Sequence, residues 1–188
     1  MIQNNAKLYE DLKSILVTRE EIAEAVDKLG KRIAQDYQGK ELLMVGILKG
    51  SVVFFSDLMR AVDLPVKTEF MAVSSYGAAT KTSGVVNLVK DLTVDITGMH
   101  VLIVEDIVDS GMTLSYLKKY LSTRGAASIR IATLLDKPER RRVNLQADYF
   151  CFTIPDEFVV GYGLDYAEKY RNLPDIGVLS PRVYAPED

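Results

Sequence analysis

The sequence predicts an α/β fold, a mostly parallel twisted sheet flanked by helices. Three observations predict it. First, Glu41-Leu42-Leu43-Met44-Val45-Gly46-Ile47, His100 to Glu105, and SIRIATLLD at residues 128 to 136 are short, nearly continuous apolar runs. Such runs belong to strands covered on both faces, as in a parallel sheet. Second, segments of helical period alternate with these runs, and the order strand, helix, strand, helix, strand implies right-handed crossovers. Third, no linker, repeat or low-complexity segment divides the 188 residues, so the whole chain, 1 to 188, reads as a single domain.

The elements follow in chain order. Thr18-Arg19-Glu20-Glu21 has capping-box spacing, and Ile22, Val26, Leu29 and Ile33 continue at helical spacing toward a stop near Gly39. After the first apolar run, Val52 to Phe55 with Leu58 and Met59 predict a helix packed on the sheet. Residues 66 to 75, VKTEFMAVSS, are β-rich and partly alternating, hence a strand. Residues 76 to 84, YGAATKTSG, are small and polar, hence a loop, and VVNLVKDL returns as a strand. A helix is expected over 112 to 123, and ADYFCFTI and EFVVGYGL are strand-like, the second with turn-forming glycines.

Composition sets the outer bounds. With 26 acids against 23 bases the net charge is −3, which argues against a general nucleic-acid binder. MIQNNAKLYE lacks the apolar core of a signal peptide, and no apolar run approaches the roughly 20 residues of a membrane span. The single cysteine, Cys151, excludes an intramolecular disulfide, fits a reducing compartment, and reads as a structural thiol. The expected location is the cytoplasm, with no nucleic-acid or membrane partner.

The chemistry concentrates in VLIVEDIVDSGMTL, residues 101 to 114. The apolar strand is expected to deliver Glu105 and Asp106 at its carboxyl end, where sites in such sheets gather. Neighbouring strand residues point to opposite faces, so both acids face one site only if the strand ends there. Asp109-Ser110-Gly111-Met112-Thr113 then enters a helix, where small residues let several backbone N–H groups converge on an anion at the positive end of the helix dipole. Carboxylates would repel a lone phosphate. A sugar phosphate reconciles the two halves: the turn holds phosphate while the acids take sugar hydroxyls, directly or through Mg²⁺. Taken singly, Asp109 is a helix cap and Glu105 and Asp106 are solvated loop acids; the whole string is far more specific.

VLIVEDIVDSGMTL resembles the phosphoribosyl-pyrophosphate-binding motif of type I phosphoribosyltransferases, and residues 8 to 184 resemble the 6-oxopurine branch of that family. The resemblance implies a core over about 8 to 150 and a small base-binding hood formed by about 151 to 188 with N-terminal residues. It implies transfer of a phosphoribosyl group to hypoxanthine or guanine, Mg²⁺ as cofactor, and a homodimer or homotetramer.

The remaining motifs fall in the family's order. Leu48-Lys49-Gly50-Ser51 follows the first buried strand and is itself a plausible anion turn, although a surface turn with a solvated lysine is equally ordinary. In the family this loop binds pyrophosphate, and the peptide before the lysine is often cis; a second glycine often stands where this chain has Ser51. Ser75-Tyr76, heading the 76–84 loop, looks like the family's mobile catalytic loop, a lid that keeps water from a glycosyl-cation-like centre. Lys137, at the end of the third apolar run, matches the lysine that donates to the purine 6-oxo group. Pro138-Glu139-Arg140-Arg141-Arg142 after it reads as a solvated loop rather than a nucleic-acid patch.

By resemblance Phe158 stacks on the purine and the Val159 backbone bonds its edge, whereas from the residues alone a strand-borne aromatic is more often core. Asp165 aligns with a carboxylate on a second Mg²⁺, giving Glu105, Asp106 and Asp165 as metal ligands. Arg171 aligns with an arginine that reaches pyrophosphate, which suits its fork. Asp109 is the expected general base. Met112 stands where relatives often carry a basic residue; it presents its backbone to phosphate, so the departure leaves the expectation intact. His100, the only histidine, precedes the 101–104 strand and lies away from the expected site. Two rivals stand beside this reading: the same chemistry with xanthine as the base, and a non-catalytic sensor of phosphoribosyl pyrophosphate that binds RNA or DNA. The sensor would be expected to show a basic face or an added domain.

Overall fold

The computed structural model of the chain describes residues 6–75 and 86–185. In chain order the elements are α1 (Ala6–Tyr9), β1 (Leu12–Val17), α2 (Arg19–Asp36), β2 (Leu42–Leu48), α3 (Val52–Ala61), β3 (Val66–Ser75), β4 (Val86–Lys90), β5 (His100–Val108), α4 (Met112–Ser122), β6 (Ser128–Asp136), a 3-10 turn (Pro138–Arg140), β7 (Tyr149–Thr153), β8 (Val159–Val160), β9 (Ile176–Leu179) and α5 (Pro181–Tyr184). The main sheet has the order β4-β3-β2-β5-β6-β7. All its pairings are parallel except β3 with β4. No helix among the described residues is long and apolar enough to cross a membrane.

The continuous apolar strands are explained by two cores, one on each face of the sheet. Along β2, Leu42 and Met44 join α2 and α3 through Ile22, Leu29, Ile33, Phe54 and Leu58. The alternate residues Leu43, Val45 and Ile47 join α4 through Leu114, Leu117 and Leu121. β5 divides likewise, Leu102 and Val104 to one side and Val101 and Ile103 to the other. Each fully buried side chain of this kind contributes roughly 1.5–3 kcal/mol. The capping box at the start of α2 is complete: the Glu21 N–H donates to Thr18 Oγ1, and the Thr18 N–H donates to Glu21 Oε2 at 2.8 Å.

A second, antiparallel sheet of order β1-β9-β8 forms the hood. β1 and β9 carry no clear sequence signal, and they pair residues from opposite ends of the chain, such as Leu12 with Leu179. β7 pairs with β6 and therefore belongs to the main sheet. The expected division near residue 151 falls inside β7, and the small sheet takes over only from Val159.

Two further expectations are corrected. β5 does not end at Glu105 but runs to Val108, because β6 continues to pair with it through Val108 and Asp136. β2 stops pairing with β5 at Val104, so the last residues of β5 overhang the loop that leaves β2. β4, Val86–Lys90, stops at Lys90 and does not run on through Asp91 and Leu92 as VVNLVKDL suggests. The expected lid over 76 to 84, including Tyr76, lies outside the described residues.

Candidate functional site

The site lies where the parallel strands end. β2 delivers Lys49, β3 ends on the backbone of Ser75, β5 delivers Asp109, and β6 delivers Lys137. The turn after β5 leaves backbone donors free at the start of α4. Gly111 has φ +78, in the left-handed region that favours glycine. It is the N-cap of α4, so the first N–H groups of that helix, from Met112 and Thr113, have no partner within the helix. Met112 is exposed and its N–H donates to Ser110 Oγ at 3.4 Å.

The 138–142 segment is largely solvent-exposed, as expected, but its arginines also contact the turn. Arg140 Nε donates to Asp109 Oδ1 at 3.1 Å, and Arg141 Nη1 donates to the Asp109 carbonyl at 2.8 Å. Arg141 also pairs with Asp136, and the Arg142 N–H donates to the Ser110 carbonyl at 3.0 Å. Two of the three arginines thus brace the turn at Asp109. Sequence reading treated them as a charge run because their acids, Asp109, Asp136 and Asp156, come from three separate segments.

Glu105 and Asp106 are half-buried at the overhanging end of β5. Burial, then the neighbouring Asp106 charge, pushes the Glu105 carboxyl well above its usual range. Burial also raises Asp106, partly offset by its bonds with Glu105 and the Ile107 N–H, which donates to Oδ1 at 2.7 Å. Two such carboxyls side by side resist ionising together. Asp106 reaches the Lys49–Gly50 loop directly. A Cβ on Gly50 would lie 2.8 Å from Asp106 Cγ and overlap its carboxylate, so only glycine lets the acid lie against this backbone. The Leu48–Lys49 peptide is cis. Ser51, fully buried, donates from Oγ to the Ile47 carbonyl at 2.6 Å, which fixes the loop to the end of β2.

The hood closes the other side of that loop. Gly163, with φ +103, presses so closely on the Gly50 carbonyl that no side chain fits between them. Arg171 Nη1 donates to the Gly163 carbonyl at 2.8 Å, and Nη2 pairs with Asp165 Oδ1 at 2.8 Å. Lys49 Nζ is paired with Glu168 Oε2 at 3.1 Å. The buried Arg171 Nε has no hydrogen-bond partner among the described residues. Four non-glycine residues of this segment, Tyr162, Ala167, Glu168 and Tyr170, hold positive φ, an arrangement that clusters at ligand clamps. Lys49, Gly50, Asp106, Asp165 and Arg171 are therefore brought together. Glu105, Asp106 and Asp165 do not form a three-ligand cage, and no group of three or more metal-ligating side chains converges among the described residues. Glu105 and Asp106 lie together near the end of β5, while Asp165 comes from the hood and is held by Arg171.

Beside the turn at Asp109 is a cavity of about 370 Å³, whose lining includes Asp109, Lys137, Asp156, Phe158, Val159 and Tyr184. Lys137 is 8% exposed, against the usual solvated lysine, with Asp156 Oδ1 3.8 Å from Nζ. Phe158 is 40% exposed and so is a wall of this cavity rather than core. Its ring stacks on Tyr184 with centroids 5.2 Å apart, and Tyr166 meets it edge-on at 5.6 Å. Glu168, Asp156, Arg140 and Tyr184 were not singled out by the sequence. Nothing short of the fold puts them beside the motif residues.

His100 stands at the amino end of β5, with Nδ1 2.7 Å from Ser128 Oγ, at the opposite edge of the sheet from the site. Cys151 is half-buried in β7, its thiol pushed up to about 12 by burial.

Comparison with known proteins agrees with this geometry. The model of the phosphoribosyl transferase domain matches residues 14–167. A hypoxanthine-guanine phosphoribosyltransferase of Streptococcus pneumoniae is 56% identical over 178 residues, covering 95% of this chain and 99% of that protein. One from Mycobacterium tuberculosis is 52% identical over 186 residues, covering 95% and 92%. The crystal structure of a hypoxanthine phosphoribosyltransferase from Staphylococcus aureus superposes with a TM-score of 0.93 at 49% identity, covering 97% of this chain and 100% of that one. On the match of its family model and of these relatives along nearly its whole length, the chain belongs to the phosphoribosyl transferase domain family.

Proposed function

We propose that this chain is a purine salvage enzyme that transfers the 5-phosphoribosyl group from phosphoribosyl pyrophosphate to N9 of hypoxanthine or guanine, giving the nucleoside monophosphate and pyrophosphate. The observation that carries this reading is the 370 Å³ cavity, which joins a general-base candidate, a buried lysine and an exposed aromatic beside an anion turn. The names of the near-full-length relatives support it.

The N–H groups of Ser110 to Thr113 take the 5′-phosphate. Glu105 and Asp106 accept from the ribose hydroxyls. Lys49, Gly50 and Arg171 face the pyrophosphate, so Lys49 and Arg171 exchange Glu168 and Asp165 for it as it binds. The bond from the anomeric carbon to pyrophosphate breaks while the bond to N9 forms, and Asp109 takes the proton released from N7. Phe158 supplies the stacking face and the Val159 backbone its edge bond. Lys137 donates to the 6-oxo group. The donor set fits magnesium: it is all oxygen, and Mg²⁺ usually takes one or two carboxylates with substrate and water oxygens completing the shell, so Glu105, Asp106 and Asp165 need not form a cage. When bound, Mg²⁺ would neutralise the leaving pyrophosphate. Ser75 and Tyr76 head the proposed lid. A homodimer or homotetramer in the cytoplasm, acting on small molecules, completes the reading; size-exclusion chromatography with light scattering tests the assembly.

The test of function is the absorbance change of inosine monophosphate formation from hypoxanthine and phosphoribosyl pyrophosphate, with and without Mg²⁺. Turnover only with both is expected; absence of turnover, with salt-sensitive RNA binding in its place, would favour the sensor. Running xanthine in parallel decides that alternative. A lysine donor left without an acceptor discriminates by roughly 10⁴–10⁵, so comparable kcat/KM for adenine and hypoxanthine would remove Lys137 from its role.

A further inference from the structure

The Phe158 platform does not stand alone. The turn α5 lays the ring of Tyr184 on that of Phe158, 26° from parallel, and Tyr166 meets both edge-on, with centroids 5.6 Å and 6.4 Å away. Tyr184 is 37% exposed and lines the same cavity as Lys137 and Asp109. A ring on a C-terminal turn would ordinarily be free to leave, but this turn is tied down. The Ser180 N–H donates to the Asp11 carbonyl at 2.8 Å, and Arg182 donates to the Glu10 carbonyl and lies 3.8 Å from the Asp11 carboxylate. Asp11 is in turn held by the Tyr170 hydroxyl at 2.8 Å, and Val183 packs against the core of Val160 and Leu179. The chain's two ends thus hold one ring in place beside an exposed aromatic face.

We propose that Tyr184 is a positioning residue for the purine: it fixes the Phe158 ring in the orientation on which the base stacks and forms a wall of the base cavity. This rests on the function proposed above and adds a residue that comes from outside every recognised motif. The cavity of about 370 Å³ exists with Tyr184 in place, so the ring bounds the base site rather than filling it. The role belongs to the aromatic face, since offset stacking orients a neighbouring ring without any hydroxyl.

Three variants test it: Tyr184→Ala, Tyr184→Phe and Tyr184→Trp. Tyr184→Ala should raise KM for hypoxanthine roughly 5- to 15-fold, the size of one aromatic pair with its buried area, while KM for phosphoribosyl pyrophosphate stays within about twofold. Tyr184→Phe should restore the wild-type value. The chain has no tryptophan, so Tyr184→Trp places a sole indole at the site, whose emission should change when inosine monophosphate is added. An unchanged hypoxanthine KM in Tyr184→Ala, an equal rise in both KM values, or a Phe variant as impaired as Ala would each overturn the inference while leaving the activity of the wild type intact. A wild-type protein without transferase activity would instead remove the function on which it rests.

Discussion

Replacing Gly50 by alanine tests the contact between the loop after β2 and the acid pair of β5. The new Cβ would stand 2.8 Å from Asp106 Cγ, whereas ordinary contact begins at 3.4 Å, and it would overlap the carboxylate oxygen. The backbone itself tolerates a side chain, since Gly50 is not among the positive-φ glycines. The strain therefore falls on Asp106. Its carboxyl must swing away, breaking the 2.7 Å bond from the Ile107 N–H. A hydrogen bond to a charged group contributes about 1.5–3 kcal/mol, and the stiffer unfolded chain returns about 0.4–1 kcal/mol. The net loss of about 0.5–2.5 kcal/mol lowers Tm by roughly 1–10 °C at about 2–4 °C per kcal/mol for a chain of this size. Displacement of a group by this order can cost up to about a hundredfold in rate, so kcat/KM for phosphoribosyl pyrophosphate should fall roughly 10- to 100-fold. Thermal melts and steady-state assays at saturating hypoxanthine read both. Combined with Asp106→Ala the overlap has no partner, and the two stability losses should not add. A Gly50→Ala protein with wild-type Tm and wild-type kcat/KM would refute the claim that Asp106 lies functionally against this loop.

Other expectations follow from single contacts. Asp109→Asn should lower kcat roughly 10²–10⁴-fold, while stability changes by less than about 1 kcal/mol because its Arg140 ion pair is surface-exposed; near-normal turnover would remove Asp109 as the base. Burial works to raise the Asp175 carboxyl, but the Tyr9 hydroxyl and the Arg19 N–H and guanidinium outweigh it and hold it below its usual value. A carboxyl depressed by folding stabilises above its unfolded value of about 3.9 and loses that stabilisation as pH falls through the lower folded value. Tm of the wild type should therefore drop on acidification below about pH 4, and less steeply in Asp175→Asn; parallel curves would contradict the coupling of hood to α2. With its thiol pushed up to about 12, Cys151 should react with a disulfide reagent at pH 8 roughly 10- to 100-fold more slowly than in the urea-unfolded chain, the loss of thiolate being partly offset by its greater nucleophilicity, and equal rates would show the burial to be wrong.

What could be read from the residues follows physical lines. The parallel strands announced themselves because burial on both faces forces unbroken apolar runs, as in β2, where every residue from Leu42 to Ile47 is buried. The α2 start was legible because a capping box is local chemistry, complete within Thr18 to Glu21. β1 and β9 were not legible: each is short, and what makes them strands is a partner at the far end of the chain. The extension of β5 to Val108 was hidden because its acids look like a strand's end, while pairing with β6 carries the strand through them. The same limit applies to the site. Lys49, Asp109, Lys137 and Phe158 came from motifs whose order resembles a known family. Arg140, Arg141, Glu168 and Tyr184 gain their meaning only from contacts across the fold, and from the sequence a buried Lys137 could not be told from a solvated one.

The central claim is that the amides opening α4 hold the sugar's phosphate while the neighbouring cavity holds the base. A crystal structure of the protein with inosine monophosphate tests it most directly. The phosphate should accept from the N–H groups of Ser110 to Thr113, with the purine against Phe158 and its 6-oxo atom within hydrogen-bond reach of Lys137 Nζ. A nucleotide bound in one orientation elsewhere, with its phosphate away from that turn, would contradict the account.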